Sequence, residues 1–112
     1  MNAGGAMSKN LGNLMKQAQK MQEKLAEVQQ GLGQKTVEAQ SGGGMVTAKV
    51  SGDLRLVSLK VDKTVVNPED VEMLEDLIIA AVNEGYKRAQ EMASEEMGKV
   101  TKGLGLNIPG MF

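Results

Sequence analysis

The feature that most constrains this chain is a repeat close to its start. Apolar residues stand at Leu11, Leu14, Ala18, Met21, Leu25, Val28 and Leu32, alternately three and four apart. That 3.5-residue period is an a/d seam sustained over three heptads, and it predicts an amphipathic helix over residues 8–32. Ser8 is the natural N-cap, and Gly31 or Gly33 the natural stop. A second helical pattern runs through Val71, Leu74, Leu77, Ile78, Ala81, Val82, Ala89, Met92, Ala93 and Met97, ending near Val100. Asn67 as N-cap, Pro68 at the first helical position and the acids Glu69 and Asp70 would open it. The two rods would measure about 37 and 50 Å at 1.5 Å per residue. A compact globule of 112 residues is only about 34 Å across.

Between the rods the period changes to two. Residues 36–40 alternate, then Val46, Ala48 and Val50 alternate with Thr47, Lys49 and Ser51, and Val57, Leu59 and Val61 with Ser58, Lys60 and Asp62. The glycines 42–44 and the Ser51-Gly52-Asp53 turn separate three short antiparallel strands with one apolar face. Leu54 and Leu56 break the parity, which points to a bulge or to a polar face that is not fully wet. The expected fold is α+β in the order α-β-β-β-α, with a three-stranded antiparallel sheet flanked by two long helices. The expected organisation is a flexible N-terminus at 1–7, one domain over 8–102 and a flexible Gly/Pro tail over 103–112.

A sheet this small cannot cover both rods, so apolar seam is left over. Leaving half of its Leu, Met and Val side chains in water would forfeit several kcal/mol at about 25 cal/mol per Å², much of a small domain's stability. A two-fold homodimer is the simplest cover, with Leu14, Met21, Leu25 and Val28 at its interface. An intramolecular pairing of the two helices is the competing solution.

Composition removes whole classes of function. The chain has no cysteine and no histidine, which excludes disulfides, thiol nucleophiles, Cys/His zinc sites and imidazole acid–base chemistry. Its aromatic residues are Tyr86 and Phe112, too few to build base-stacking platforms. Gly42-Gly43-Gly44 leads into a strand rather than opening a helix, so it is a hairpin loop and not a phosphate cradle. The acids Glu69, Asp70, Glu72, Glu75 and Asp76 lack EF-hand spacing and read as dipole complementation. No nucleophile motif stands out. The chain reads as a non-enzyme with no cofactor and no metal. No apolar run reaches the roughly 20 residues of a membrane span, and the start lacks signal-peptide character, so the expectation is cytoplasmic with no membrane partner.

Net charge is −1, but its distribution is polar. Residues 1–35 carry five lysines against two acids, net +3, whereas residues 67–98 carry nine acids against Lys87 and Arg88, net −7. Lys9, Lys16 and Lys20 form a stripe opposite the first helix's seam, with Lys24 one turn further. Lys99 and Lys102 sit near the end of the second helix. Doubled in a dimer, these cations could each neutralise a phosphate.

The segment LMKQAQKMQ at 14–22, the glycine-rich loop at 41–44, EMLEDL at 72–77 with Ala80-Ala81 behind it, and the tail ending Pro109-Gly110-Met111-Phe112 together resemble the YbaB/EbfC family of nucleoid-associated proteins. The resemblance covers the chain from about Met7 onward. It implies a cytoplasmic, tweezer-like homodimer of α-β-β-β-α order that sits on the nucleoid and binds double-stranded DNA. On charge, Lys9, Lys16, Lys20, Lys24, Lys87, Arg88, Lys99 and Lys102 are the expected DNA contacts, made mainly to phosphates, contributing to nucleoid organisation and gene regulation. The alternative is a dimeric protein-interaction adaptor with little or no direct DNA binding.

Overall fold

The structure, a computed structural model, describes the backbone of residues 3–103 and the side chains of residues 10–103. The order is α1 (Ala3–Leu32), β1 (Thr36–Ser41), β2 (Val46–Ser51), β3 (Leu56–Val61), a 3₁₀ turn at Lys63–Val65, and α2 (Val71–Gly103). The strands form one antiparallel sheet in the order β1-β2-β3. The α+β architecture read from the two periodicities is the one observed.

α2 lies across β1 and β2. Every second residue of β2 points into that layer, so Val46, Ala48 and Val50 are fully buried, together with Ala39 of β1 and Ala81 and Ala89 of α2. Leu74, Leu77, Ile78 and Val82 pack around this core. The layer is thin because the residues at its centre are small. A Cβ placed on Gly85 would stand 2.8 Å from Val50 Cγ2, so helix and sheet approach here more closely than any side chain allows. The glycines of the β1–β2 turn have φ of +59°, +67° and +95°. That left-handed run is open only to glycine at low cost, which explains the triplet structurally.

Three details differ from the sequence reading. α1 begins at Ala3, so Ser8 is not its cap. The helix continues backwards from the seam through Ala3, Ala6 and Met7, and through Gly4 and Gly5 at about 1 kcal/mol each relative to alanine. α2 starts at Val71, not at Pro68. Asn67 closes a turn instead, its side-chain oxygen accepting from Glu69 N–H at 3.0 Å and its carbonyl from Asp70 N–H at 2.9 Å, and Asp70 caps the helix by accepting from Met73 N–H at 3.2 Å. The second acid of the Asn-Pro-Glu-Asp segment therefore does what the first residue was expected to do. α2 also runs on to Gly103, beyond Val100. Residues 104–112, expected to form a loose tail, lie outside the described residues.

The parity break at Leu54 and Leu56 has two causes. The register slips between Lys49 and Val50, where Leu56 rather than Val57 opposes Val50, a bulge on β3. Leu54 lies before the strand with φ +64°. The expected surplus of apolar surface is present. β3 is left uncovered by α2, so Leu56, Val57 and Leu59 are 41%, 53% and 39% exposed. The molecule has a radius of gyration of 21.9 Å and extends 84 Å along its longest axis, against about 13 Å for a compact chain of this length.

Candidate nucleic-acid interface

α1 divides into two parts with different surroundings. Its C-terminal part lies beside the C-terminal part of α2. Lys24, Val28 and Gly31 share an open cleft of about 530 Å³ with Glu96, Val100 and Gly103. The joint is pinned at the strand end, where Gly52 N–H donates to the carbonyls of Leu32 and Lys35, each at 2.9 Å. Lys35 Nζ stands 3.1 Å from Glu96 Oε1, and Lys99 Nζ reaches the same oxygen at 3.3 Å. Two ammonium groups on one carboxylate hold Glu96 below its ordinary pKa of 4.5. The seam residues Met21, Leu25 and Val28 are half-buried in this joint, so the intramolecular pairing weighed against a dimer accounts for part of the seam.

The N-terminal part is an arm. Every residue from Asn10 to Lys20 is exposed, including Leu11, Leu14 and Met15 at 59%, 60% and 65%. With no described residue packed against it, this part of the helix presents its polar face at its full width. Lys16 and Lys20 stand there one turn apart with no ion-pair partner within 4 Å among the described residues. The side chain of Lys9 lies outside the described residues.

The remaining expected contacts fall into two groups. Lys87 and Lys102 are exposed and unpaired among the described residues. Lys24 pairs with Glu27 at 3.7 Å, Lys99 with Glu96, and Arg88 with Glu84 at 3.4 Å while its Nη1 donates to the carbonyl of Glu38 at 2.8 Å. Arg88 thus straps α2 to β1. The charge reading passed over Lys60 and Lys63. Lys60 opposes Thr47 on the sheet face away from α2, and Lys63 lies in the 3₁₀ turn, both exposed and without an acidic partner among the described residues. The strand alternation carried the signal for Lys60, because it places this residue on the polar face.

Elsewhere the acids are used locally. Asp62 accepts from the N–H and hydroxyl of Thr64, which lowers its pKa. Asp53 is lowered first by the buried Ser51 hydroxyl and further by Arg55, whose Nε lies 3.0 Å from Oδ2. Both arrangements stabilise turns.

The arm is thus a long exposed helix whose Lys16 and Lys20 have no carboxylate within 4 Å among the described residues. The sequence profile of the YbaB/EbfC DNA-binding family matches residues 7–104. The chain belongs to the YbaB/EbfC DNA-binding family. Its relatives include a nucleoid-associated protein of Alkaliphilus metalliredigens, 55% identical over 109 residues, covering 97% of this chain and 92% of the relative. Another, from Syntrophobacter fumaroxidans, is 54% identical over 103 residues, covering 89% and 94%. The fold is similar to the crystal structure of the uncharacterized protein HP0035 from Helicobacter pylori, with a TM-score of 0.67 at 27% identity, covering 80% of this chain and 90% of that one. The family is a DNA-binding one, and these relatives are named nucleoid-associated proteins. No helix among the described residues is long and apolar enough to cross a membrane.

Proposed function

We propose that this protein binds duplex DNA on the nucleoid as a homodimer, mainly through phosphate contacts, and so contributes to nucleoid organisation and gene regulation. The observation that carries this reading is the exposed α1 arm, whose outer face offers Lys16 and Lys20 with no carboxylate within 4 Å among the described residues. Lysines on a regular helix neutralise backbone charge without reading base edges, so affinity comes with little sequence preference. Lys87 and Lys102 are the next candidates. Lys24, Lys99 and Arg88 already have acidic partners and contribute only by exchanging them. The family membership and the nucleoid-associated relatives support the same reading.

The homodimer is supported by apolar surface that the single chain leaves open. Met21, Leu25 and Val28 already face their own α2, which leaves Leu14 as the available member of the seam set. The wider uncovered surface is β3, with Leu56, Val57 and Leu59. A second copy covering β3 removes this surface from water and places two basic arms on one particle.

Lys16→Glu combined with Lys20→Glu tests the site. The double variant should retain wild-type far-UV circular dichroism and sedimentation while its affinity for a random duplex falls by at least about tenfold at 50 mM salt. Unchanged affinity would remove the arm from the interface, and a defined protein captured after nuclease treatment would favour an adaptor.

A further inference from the structure

The two sides of the α2–sheet layer differ in charge. On the helix side the exposed residues of α2 include Glu72, Glu75, Asp76, Glu91 and Glu95, in a segment of net charge −7. The other side is the face of the sheet turned away from α2. Its cross-strand rows read Gln40-Thr47-Lys60 and Glu38-Lys49-Ser58, and none of these six residues is buried, although Thr47 and Lys49 belong to the middle strand. Lys63 follows in the 3₁₀ turn. With Lys49, Lys60 and Lys63 set against Glu38 and Asp62, this side is net +1. Both acids are engaged: Glu38 lies 3.6 Å from Lys49 Nζ, and Asp62 accepts from the N–H and hydroxyl of Thr64 at 2.8 and 2.7 Å.

We propose that this open sheet face, through Lys60 and Lys63, is a second phosphate-contacting surface for duplex DNA, remote from the α1 arm. Its charge fits a polyanion: neither lysine has a carboxylate within 4 Å among the described residues, whereas the acidic α2 side repels one. Its chemistry fits a sugar–phosphate backbone. Gln40, Thr47 and Ser58 are uncharged donors of the kind that bond phosphate oxygens, and Lys49 stands diagonal to Lys60 with Cα atoms about 7–8 Å apart. Its position makes it a separate site. Asp62 N–H donates to the carbonyl of Met45, and Gly42 lies against Leu77, so Lys60 and Lys63 stand at the β1–β2 turn end of the sheet. α1 joins the opposite end, where Gly52 meets Leu32, and its arm projects away past Gly103 along a molecule 84 Å long. Dimer formation leaves the face open. Leu56 and Leu59 oppose Val50 and Ala48, which point toward α2, so a second copy covering them lies on the other side of the sheet from Lys60. An acidic protein is the competing occupant, and the duplex is preferred because the same particle already offers DNA its arms.

This inference rests on the DNA reading and is tested so that the two can fail separately. Full-length wild type, Lys60→Glu with Lys63→Glu, and Lys60→Arg with Lys63→Arg would be titrated against a random duplex by fluorescence anisotropy. The charge reversal should weaken binding by at least about tenfold at 50 mM salt, and one contact per protomer should flatten the dimer's log–log salt slope by about 2. The arginine pair should bind as wild type does. A second readout locates the DNA directly. The protein has no cysteine, so Ser58→Cys on the sheet face and Asn83→Cys on exposed α2 can each carry one photoreactive maleimide. The probe at residue 58 should cross-link to the duplex at least about fivefold more than the probe at residue 83. Affinity and slope unmoved by the reversal, an equal loss in the arginine pair, or cross-linking from residue 58 no greater than from residue 83 would overturn the proposal. The arm reading would survive any of these if Lys16→Glu with Lys20→Glu still weakened binding, whereas a wild type that ignores the duplex would overturn both.

Discussion

Gly85 is where the sheet and α2 come closest, and the Gly85→Ala variant measures that closeness. In an exposed helix interior the change would stabilise by about 1 kcal/mol, the difference in helix propensity. Here the new Cβ would lie 2.8 Å from Val50 Cγ2, on a side chain with no exposed surface in the middle strand. An ordinary carbon–carbon contact is about 3.5–4.0 Å, so α2 or β2 must give way by about 1 Å. Overpacking of that kind costs about 1–3 kcal/mol, which offsets the propensity gain and leaves a net loss of up to about 2 kcal/mol. The partner change gives the sharper test. With Val50→Ala in place the clashing methyl is gone, and the nearest remaining atoms are Ala48 Cβ at 3.7 Å and the residue-50 Cβ at 3.8 Å. Gly85→Ala should then recover its stabilisation of about 1 kcal/mol, giving a coupling of about 1–3 kcal/mol between the two positions. Urea denaturation followed by far-UV circular dichroism, at one fixed protein concentration, reads all four corners of the cycle. Additive effects, or a Gly85→Ala protein more stable than wild type, would refute the close approach of helix and sheet.

Other expectations follow from single contacts. Leu59→Lys, on the uncovered strand β3, should leave far-UV circular dichroism unchanged and shift sedimentation from dimer to monomer at micromolar concentration; a dimer that persists would move the interface elsewhere. Asp70→Ala removes the acceptor for Met73 N–H and should cost about 1 kcal/mol, whereas Asn67→Ala leaves the helix cap intact and should cost less in the same denaturation series. Glu96 is held below its ordinary pKa of 4.5 by Lys35 and Lys99. Its contribution to the α1–α2 joint is therefore complete above that ordinary value and is lost as pH falls through the lowered folded value. Spin labels on α1 and α2 should show the helices loosening only as pH falls below that ordinary value, and Glu96→Gln should abolish that acid step.

The elements were legible because each rests on a local period. Seven seam positions gave α1, strict alternation gave β2, and the off-parity Leu54 and Leu56 announced the irregularity that the Lys49/Val50 register shift and the positive φ of Leu54 now explain. The start of α2 was misplaced because Asn67 and Asp70 are equally good caps by residue type. Only the turn closed by Asn67 decides between them. The stripe of lysines was legible on α1, where spacing on one helix fixes it, and Lys16 and Lys20 are exposed there. On α2 the pairings of Lys99 with Glu96 and Arg88 with Glu84 lie three and four residues apart and were open to the same reading, whereas the further partners of Glu96 and Arg88 are distant in sequence. Lys35 meets Glu96 through the antiparallel packing of two helices, and Arg88 reaches a β1 carbonyl fifty residues away. The division of the seam into a covered half and an uncovered half is likewise tertiary, since it depends on where α2 stops.

The central claim is that free lysines on paired arms hold DNA by its phosphates. The measurement that addresses it most directly is the slope of log affinity against log salt, for the wild type and for Lys16→Glu with Lys20→Glu, using fluorescence anisotropy and a random duplex. Four to six contacts per dimer predict a wild-type slope of about −4 to −5, a loss of roughly 10²–10³ in affinity between 50 and 200 mM salt. The double variant, losing four of those contacts, should flatten the slope by about 3–4. A wild-type affinity indifferent to salt, or a slope that the double variant leaves unchanged, would contradict the account.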